Sequence, residues 1–141
     1  MAKKKLQLDA TPDVTVIGIS SHVEDYRLCW AINRAMELNL VRRRSDITVE
    51  VGAKQARYSA FDQVDDGKVV RWSLVHNHCG KSLLVKEQKQ ADYFLVLDSE
   101  VAEERPALLD QVREVEFILT AFPVDLSKSR AAHKLLYMYD E

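Results

Sequence analysis

The sequence predicts an α+β domain whose antiparallel sheet follows an expanded ferredoxin-like plan, with two helices packed on one face and a C-terminal helical arm. Three observations support this class. Residues 14–20 are apolar and β-branched, residues 22–39 carry apolar side chains at helical spacing, and two alternating segments flank an Asp-Gly pair at 66–67. The predicted order is strand, helix, several strands, strand, helix and strand.

The length and composition are typical of one globular domain. The chain has 141 residues, of which 47% are hydrophobic and 30% are charged. Its three prolines and four glycines do not indicate long flexible linkers. We therefore expect a lead-in at 1–13, a single domain over 14–125, and a tail or short helix at 126–141.

No segment of the sequence has the pattern of a signal peptide or of a membrane span. Residues 1–5 include three lysines and precede no long apolar run, and no later run approaches the about 18 apolar residues that a span requires. The two cysteines, Cys29 and Cys79, do not suggest a disulfide framework. We expect a cytoplasmic protein that does not bind a membrane.

The first strand and helix are predicted with the clearest signals. Residues 14–20 form a continuous apolar run, which is typical of a central strand buried on both faces. Ser21 and Glu24 then fit a capping box at the start of a helix over 22–39. Three-four spacing predicts that the buried face of this helix contains Tyr26, Cys29, Trp30, Asn33, Met36 and Leu40.

A meander of antiparallel strands is predicted after the first helix. Residues 47–51 alternate with period two, as do residues 57–64 and 68–77 on either side of the turn Asp65-Asp66-Gly67. A turn at 77–80 and a short strand over 82–85 follow.

The last third of the chain predicts a strand, a helix and a closing strand. Residues 91–98 form another apolar run, and residues 103–114 form a helix with Pro106 in its first turn. Residues 116–124 close the sheet, and Pro123 places the end of this strand at an edge. The interior is expected to contain Ile17, Trp30, Leu95 and Leu119.

Two segments of the chain resemble one protein family. They are residues 24–33, Glu-Asp-Tyr-Arg-Leu-Cys-Trp-Ala-Ile-Asn, and residues 85–93, Val-Lys-Glu-Gln-Lys-Gln-Ala-Asp-Tyr. Both are similar to parts of the IPExxxVDY family of small bacterial proteins, and the resemblance extends from the first strand to about position 125. The naming motif is matched by Glu87, Asp92 and Tyr93, with conservative replacements at Val85 and Ala91 and with Lys86 in place of proline.

This family has no established activity, so the resemblance implies a cytoplasmic domain and names no chemistry. The motif residues can be interpreted in two ways. Asp92 can accept hydrogen bonds from neighbouring backbone N–H groups, and Tyr93 can place its ring against a helix with the hydroxyl near the rim. Alternatively, Glu87 and Asp92 bind a ligand or a partner.

The turn at 20–27 is a candidate site for a small anion or for catalysis. A helix N-terminus attracts anions, and Arg27 could contribute its charge. Ser20, Ser21, His22 and Asp25 are residue types found in nucleophilic relays, but adjacent residues at a helix start point in diverging directions. We therefore expect no catalytic residue and favour a protein that is not an enzyme.

The sequence His76-Asn77-His78-Cys79 is the candidate metal site. Two histidines at i and i+2 share one face of a strand, with a thiol beside them. The other candidate ligands are His22, Cys29 and His133, and they have no recognisable spacing. We expect neither a metal nor a cofactor.

Basic residues are concentrated in the first part of the chain. Residues 1–60 contain ten Lys or Arg and seven Asp or Glu, although the whole chain has a net charge of −2. Tyr58 and Phe61 could stack on bases next to these charges. The candidate nucleic-acid contacts are Arg42, Arg43, Arg44, Lys54 and Arg57.

The function that the sequence favours is a non-enzymatic binding or adaptor domain that acts through protein–protein contact or homodimerisation. Residues 98–116 contain seven acidic and two basic residues, which is a possible docking surface. The alternatives are an RNA-associated protein and a small-anion-binding regulator or enzyme at the first strand–helix turn. The candidate ligand or partner residues are Ser20, Ser21, His22, Asp25, Arg27, Glu87, Asp92 and Tyr93.

Overall fold

The computed structural model describes residues 14–65 and 69–125. The lead-in at 1–13, the tail at 126–141 and most of the Asp65-Asp66-Gly67 turn therefore lie outside the described residues. The strands are β1 (Val14–Ser20), β2 (Val41–Arg42), β3 (Ile47–Val51), β4 (Lys54–Tyr58), β5 (Ala60–Asp65), β6 (Val69–His76), β7 (His78–Cys79), β8 (Ser82–Leu83), β9 (Tyr93–Asp98) and β10 (Thr120–Val124). The helices are α1 (Asp25–Met36), α2 (Ser99–Glu103) and α3 (Leu108–Arg113).

Six of the strands form one antiparallel sheet in the order β10-β1-β9-β6-β5-β2. This confirms the α+β class with a large antiparallel sheet. The predicted central strand is β1, which lies between β9 and β10, and the predicted hairpin strands are β5 and β6. Hairpins β3–β4 and β7–β8 form two small sheets of their own. None of the described helices has the length and hydropathy needed to cross a membrane.

Gly18 is a glycine because β1 passes close to a large side chain on β10. Its Cα lies opposite Phe122 in the sheet. A Cβ at this position would be 2.5 Å from Cε2 of Phe122 and 3.0 Å from a methyl group of Val124. The residue therefore has a packing role, since any larger side chain would displace the Phe122 ring.

One face of the sheet contributes to a hydrophobic core that also contains residues of α1 and α3. Leu28 and Ile32 from α1 and Val112 from α3 are buried in the same cluster as Leu74 and Leu95 from the sheet. Burial of these side chains removes apolar surface from water, which is the main stabilising contribution to such a domain.

A second core covers the opposite face of the sheet, which the sequence did not predict. Phe94 and Val96 alternate with the inward residues of β9 and point to this face. Tyr58 from the β3–β4 hairpin belongs to the same cluster of buried residues. Leu84 and Val85, which follow β8, are also part of it. Strand β9 therefore consists of buried aromatic and aliphatic residues from Tyr93 to Leu97, because both of its faces are covered.

The predicted buried face of the first helix is partly wrong. Trp30 is 51% exposed and Tyr26 is 65% exposed, whereas Cys29 and Met36 are buried as expected. The predicted core residue Leu119 is also wrong, since it is 61% exposed. Ile17 and Leu95 are confirmed as core residues. The buried face of α1 consists of Leu28, Cys29, Ala31, Ile32 and Met36.

The predicted capping box is also wrong. Helix α1 begins at Asp25, and its N-cap residue Glu24 makes no side-chain capping bond. The Ser21 hydroxyl instead donates to the carbonyl of Phe117 at 2.7 Å. At the other end Glu37 adopts a left-handed conformation with φ of 58°, which ends the helix three residues before the predicted position at 39.

The helix predicted over 103–114 is observed only as the shorter helix α3 (Leu108–Arg113), and α2 (Ser99–Glu103), which the sequence did not predict, precedes it. Pro106 lies between α2 and α3 because it lacks an N–H group and disfavours helical geometry in the residue before it. Asp98 caps α2 by accepting the N–H of Glu100 at 3.0 Å. The closing strand starts at Thr120 rather than at 116, and β10 pairs with β1 only among the described strands, so Pro123 lies on an edge strand.

Candidate functional site

Asp92 connects the start of β9 to the turn after β1. Its Oδ2 accepts the N–H of Ser21 at 2.9 Å and the hydroxyl of Ser20 at 3.4 Å. Its Oδ1 lies 2.8 Å from Nε2 of His78. The backbone hydrogen bond predicted for Asp92 is therefore present, and the carboxylate also holds an imidazole that is about one-third exposed.

Tyr93 and His76 form a stacked pair beside Asp92. Their rings are 4.6 Å apart and inclined by 14°. The buried phenol of Tyr93 donates to the carbonyl of Val23 at 2.7 Å. Burial raises its pKa far above the ordinary value, and the carboxylates of Asp25 and Asp92 raise it further. The hydroxyl is therefore a neutral donor at physiological pH.

Asp25 links the first turn of α1 to the start of β5. Its Oδ2 accepts the hydroxyl of the buried residue Ser59 at 2.6 Å. The carbonyl of Ser59 accepts the N–H of His76 at 3.0 Å, so Ser59 is hydrogen-bonded to both Asp25 and His76. Burial of Cys29, followed by the nearby Asp25 carboxylate, raises the thiol pKa to about 11, which keeps Cys29 protonated and unreactive.

Protonation of His76 is expected to destabilise the fold at acidic pH. Burial lowers the pKa of His76 below 6.5, and His78 lowers it further, against the opposing influence of Asp25 and Asp92. The unfolded chain then binds this proton more readily, so the stabilisation is complete above pH 6.5 and is lost as the pH falls through the lowered pKa. Urea denaturation across this range would measure the free energy of unfolding.

The matched variants for this pH test are His76→Phe and His22→Gln. Phenylalanine keeps a ring against Tyr93 but does not titrate, so the variant should show a flatter dependence of stability on pH. His22→Gln serves as the comparison because it also removes one histidine, at an exposed position. If His76→Phe and the unmodified protein lost the same stability between neutral and acidic pH, His76 would not be the responsible group.

The structure brings five of the sequence-predicted site residues together, but it does not assemble a catalytic relay from them. These five residues are Ser20, Ser21, Asp25, Asp92 and Tyr93. The Ser20 hydroxyl donates to Asp92 at 3.4 Å, and the Ser21 hydroxyl donates to the Phe117 carbonyl and accepts the N–H of Val23 at 3.5 Å, so among the described hydrogen bonds neither hydroxyl is paired with a histidine. His22 is exposed, Arg27 lies 5.5 Å above the Phe117 ring, and Glu87 is exposed on the loop before β9.

His76 and His78 belong to this cluster, although the sequence suggested them only as metal ligands. Their ring centroids are 6.2 Å apart. Among the described residues, no group of three or more His, Cys, Asp or Glu side chains could hold a metal ion. His76 and His78 are two residues apart at the end of β6, and residues i and i+2 of a strand share a face. This spacing was the sequence feature that could have identified the cluster. Ser59 and Asn77 carried no such signal.

A second candidate surface is the exposed aromatic face of α1, formed by Tyr26, Trp30 and Arg34. Tyr26 and Trp30 are one helical turn apart and lie on the same outer side. The guanidinium of Arg34 lies 5.4 Å from the centre of the Trp30 ring. This cation–π contact covers part of one aromatic face and leaves half of the Trp30 side chain exposed to solvent.

A third candidate is a basic groove of 640 Å³ between the 42–46 segment and the β3–β4 hairpin. Its lining includes four of the predicted nucleic-acid contacts, Arg42, Arg43, Arg44 and Arg57, together with Asp46 and Thr48. The fifth, Lys54, is exposed on β4 and does not line this groove. The predicted stacking role of Tyr58 and Phe61 is wrong because both rings are buried in the two cores.

No protein-family model matches the chain, and neither a curated protein nor a solved structure has significant similarity to it.

Proposed function

We propose that this protein is a non-enzymatic binding domain of the cytoplasm that acts by protein–protein contact, with a second copy of the same chain as the partner. The observation that carries the proposal is the exposed aromatic face of α1. Tyr26 and Trp30 are 65% and 51% exposed on a helix whose opposite side is fully packed. Adjacent exposed aromatic side chains are unusual on a monomer and are enriched at protein interfaces.

The composition of this face matches that of an interface centre. Trp, Tyr and Arg are the residue types that contribute most to binding energy when they are buried against a partner. In Trp30 and Arg34 the ring and the guanidinium are already held against each other, which reduces the conformational entropy lost on association.

Charge complementarity favours a second copy as the partner. Arg27 and Arg34 are exposed on α1, whereas the segment 98–116, which contains α2 and α3, carries seven acidic and two basic residues. Glu103 and Glu104 are among its exposed acidic side chains. In a two-fold arrangement, α1 of each copy would meet this acidic segment of the other, so one surface would complement itself.

Replacement of Trp30 by alanine is expected to weaken this association at least about tenfold, equivalent to about 1.4 kcal/mol. Light scattering after size exclusion and sedimentation over a dilution series would give the monomer–dimer equilibrium. The matched control is Val51→Ala, which also removes an exposed apolar side chain but lies on the β3–β4 hairpin. This control should associate as the unmodified protein does.

A charge exchange tests the orientation of the dimer. Arg34→Glu should weaken association, and the addition of Glu104→Arg to the same chain should restore part of it. A protein that remains monomeric at every concentration would contradict homodimerisation. Equal weakening by Trp30→Ala and Val51→Ala would show that the α1 face is not the contact.

We also propose that the chain belongs to the IPExxxVDY family and that its sheet is an expanded ferredoxin-like sheet with α1 and α3 on one face. The first proposal is supported by Glu87, Asp92 and Tyr93 at the motif positions. The second is supported by β1 lying between β9 and β10, which are connected through α2 and α3. Residues of α1 and α3 in one core cluster also agree with it.

A small-anion or enzymatic role for the turn at 20–27 has less support. The Ser21 N–H, which an anion would use, donates to Asp92. The carboxylates of Asp25 and Asp92 both act on Tyr93 by raising its pKa, and two negative charges in this region disfavour a bound anion. Nucleic acid is better supported as a second class of ligand, through the basic groove.

A further inference from the structure

We propose that the basic groove binds the phosphodiester backbone of a nucleic acid. This activity is separate from the proposed contact through α1, because the groove lies between the 42–46 segment at the edge strand β2 and the β3–β4 hairpin.

Arg43 anchors the arginine run to the sheet. Its backbone N–H donates to the carbonyl of Ala60 at 2.8 Å. Its Nε and Nη2 lie 2.8 Å and 3.4 Å from the two carboxylate oxygens of Asp62, and the hydroxyl of Ser73 donates to the same carboxylate at 2.7 Å. The middle arginine is therefore directed into the protein, and the exposed Arg42 and Arg44 stand on either side of a fixed backbone.

Arg57 provides the opposite wall of the groove. It is directly opposite Thr48 in the β3–β4 hairpin, so both side chains are on the same face of that hairpin. Arg57 is exposed, as are Arg42 and Arg44. Three exposed guanidinium groups thus border one groove from two different parts of the chain, and the hydroxyl of Thr48 lies among them.

The charge of this groove contrasts with that of the chain as a whole. Its lining contains four arginines and one carboxylate, whereas the complete protein has a net charge of −2. The carboxylate, Asp46, pairs with Arg42 at 3.1 Å in an exposed ion pair, which contributes little and can rearrange. Guanidinium groups bind phosphate oxygens through paired hydrogen bonds, so the groove suits successive phosphates.

The lining also indicates that recognition does not depend on base sequence. No aromatic side chain is among the described residues that line the groove, and Tyr58 and Phe61 are buried elsewhere. Affinity must then come mainly from charge neutralisation. With three phosphates neutralised, log K should fall with log salt concentration with a slope of about −2 for a single strand and about −3 for a duplex.

Fluorescence anisotropy with labelled oligonucleotides of uridine, and with a duplex of mixed sequence, would test the proposal between about 50 and 200 mM salt. The test variant is Arg44→Glu with Arg57→Glu, with the paired Gln substitutions as a milder version. Affinity for both oligonucleotides should fall at least about tenfold, and the salt slope should become shallower by about 1.4 for the single strand, as expected for two lost contacts.

The matched control is Lys86→Glu with Lys89→Glu. These exposed lysines line a different groove, of 560 Å³, and their reversal changes the net charge by the same amount. This control should lose less than about threefold in affinity, since charge acts over roughly a Debye length. Circular dichroism and thermal melting of all the variants would verify folding.

Three results would overturn the proposal: the same loss of affinity in the lysine control, a salt slope near zero, or no binding at the lowest salt concentration. Preference for one strand type is compatible with the proposal and identifies the form of nucleic acid that is bound. Trp30→Ala should bind the oligonucleotides normally, so failure of the nucleic-acid proposal and failure of the dimer proposal can be distinguished.

Discussion

Replacement of Asn77 by alanine is expected to lower the free energy of unfolding by about 3 to 5 kcal/mol, since each buried polar group that loses its partner costs about 1 to 3 kcal/mol. Asn77 is 0% exposed. Its Nδ2 donates to the carbonyls of Gln88 and Ala91 at 3.1 Å and 2.8 Å, and its Oδ1 accepts the N–H of Val85 at 2.8 Å. Alanine would leave all three backbone groups without this partner.

Urea denaturation of the variant would measure this loss. Asn77→Asp keeps the side-chain volume, but it removes both N–H donors and places a carboxylate in the core. This variant should therefore be at least as unstable as Asn77→Ala. The control is Asn39→Ala, because Asn39 is exposed and should change stability by less than about 0.5 kcal/mol. If Asn77→Ala were as stable as this control, the segment 85–91 would not depend on the amide.

The second large effect is expected at Asp62, where alanine should lower the free energy of unfolding by about 2 to 4 kcal/mol. The side chains of Arg43 and Asp62 are only 14% and 13% exposed. Loss of the carboxylate removes two hydrogen bonds from the guanidinium and the acceptor of the Ser73 hydroxyl together. For a largely buried charge, the loss of a hydrogen-bonded counter-ion costs more than the ion pair itself contributes to stability.

A double-mutant cycle with Arg43→Ala would measure the coupling energy between the two side chains. The double variant should lose clearly less stability than the sum of the two single variants, since neither group is then left with an unmatched charge. Asp46→Ala is the comparison, because the Arg42–Asp46 pair is exposed and its loss should cost about 0 to 1 kcal/mol. Additive losses at Asp62 and Arg43 would mean that the two side chains are not energetically coupled.

The strands were predictable because their signal is local. Alternation and apolar runs indicated β1, β3, β5, β6 and β9 to within a few residues, since successive side chains of a strand point to opposite faces. Pro123 indicated an edge strand because proline removes a ladder donor. The same local approach failed for Pro106, where a turn between two short helices looked like the first turn of one helix.

The buried side of α1 could not be determined from spacing alone. The helix has two apolar stripes, one through Tyr26 and Trp30 and the other through Leu28 and Ile32, and both follow helical periodicity. Only the neighbouring β-sheet selects between them, and it buries the stripe with Leu28. The exposed aromatic face, which carries the proposed function, is therefore a consequence of tertiary packing.

The sequence identified only part of the candidate site, because the contacts that complete it join distant segments of the chain. Asp92 and Tyr93 were prominent at the entry to a buried strand, where polar groups commonly fix the backbone. The partners of Asp92, His78 and Ser21, lie 14 and 71 residues away in the chain, and no local pattern connects them to it. Asn77 gave no signal, although its amide holds the whole 85–91 segment in place.

By itself the sequence determined the α+β class, most of the strands, the central position of β1 and the run of arginines, because each depends on residues that are neighbours along the chain. Tertiary structure alone decided which stripe of α1 faces solvent, how the second face of the sheet is covered, and that Arg57 joins Arg42 and Arg44 in one groove. These features depend on contacts between distant segments, and a segment's own composition does not specify which partner will cover it.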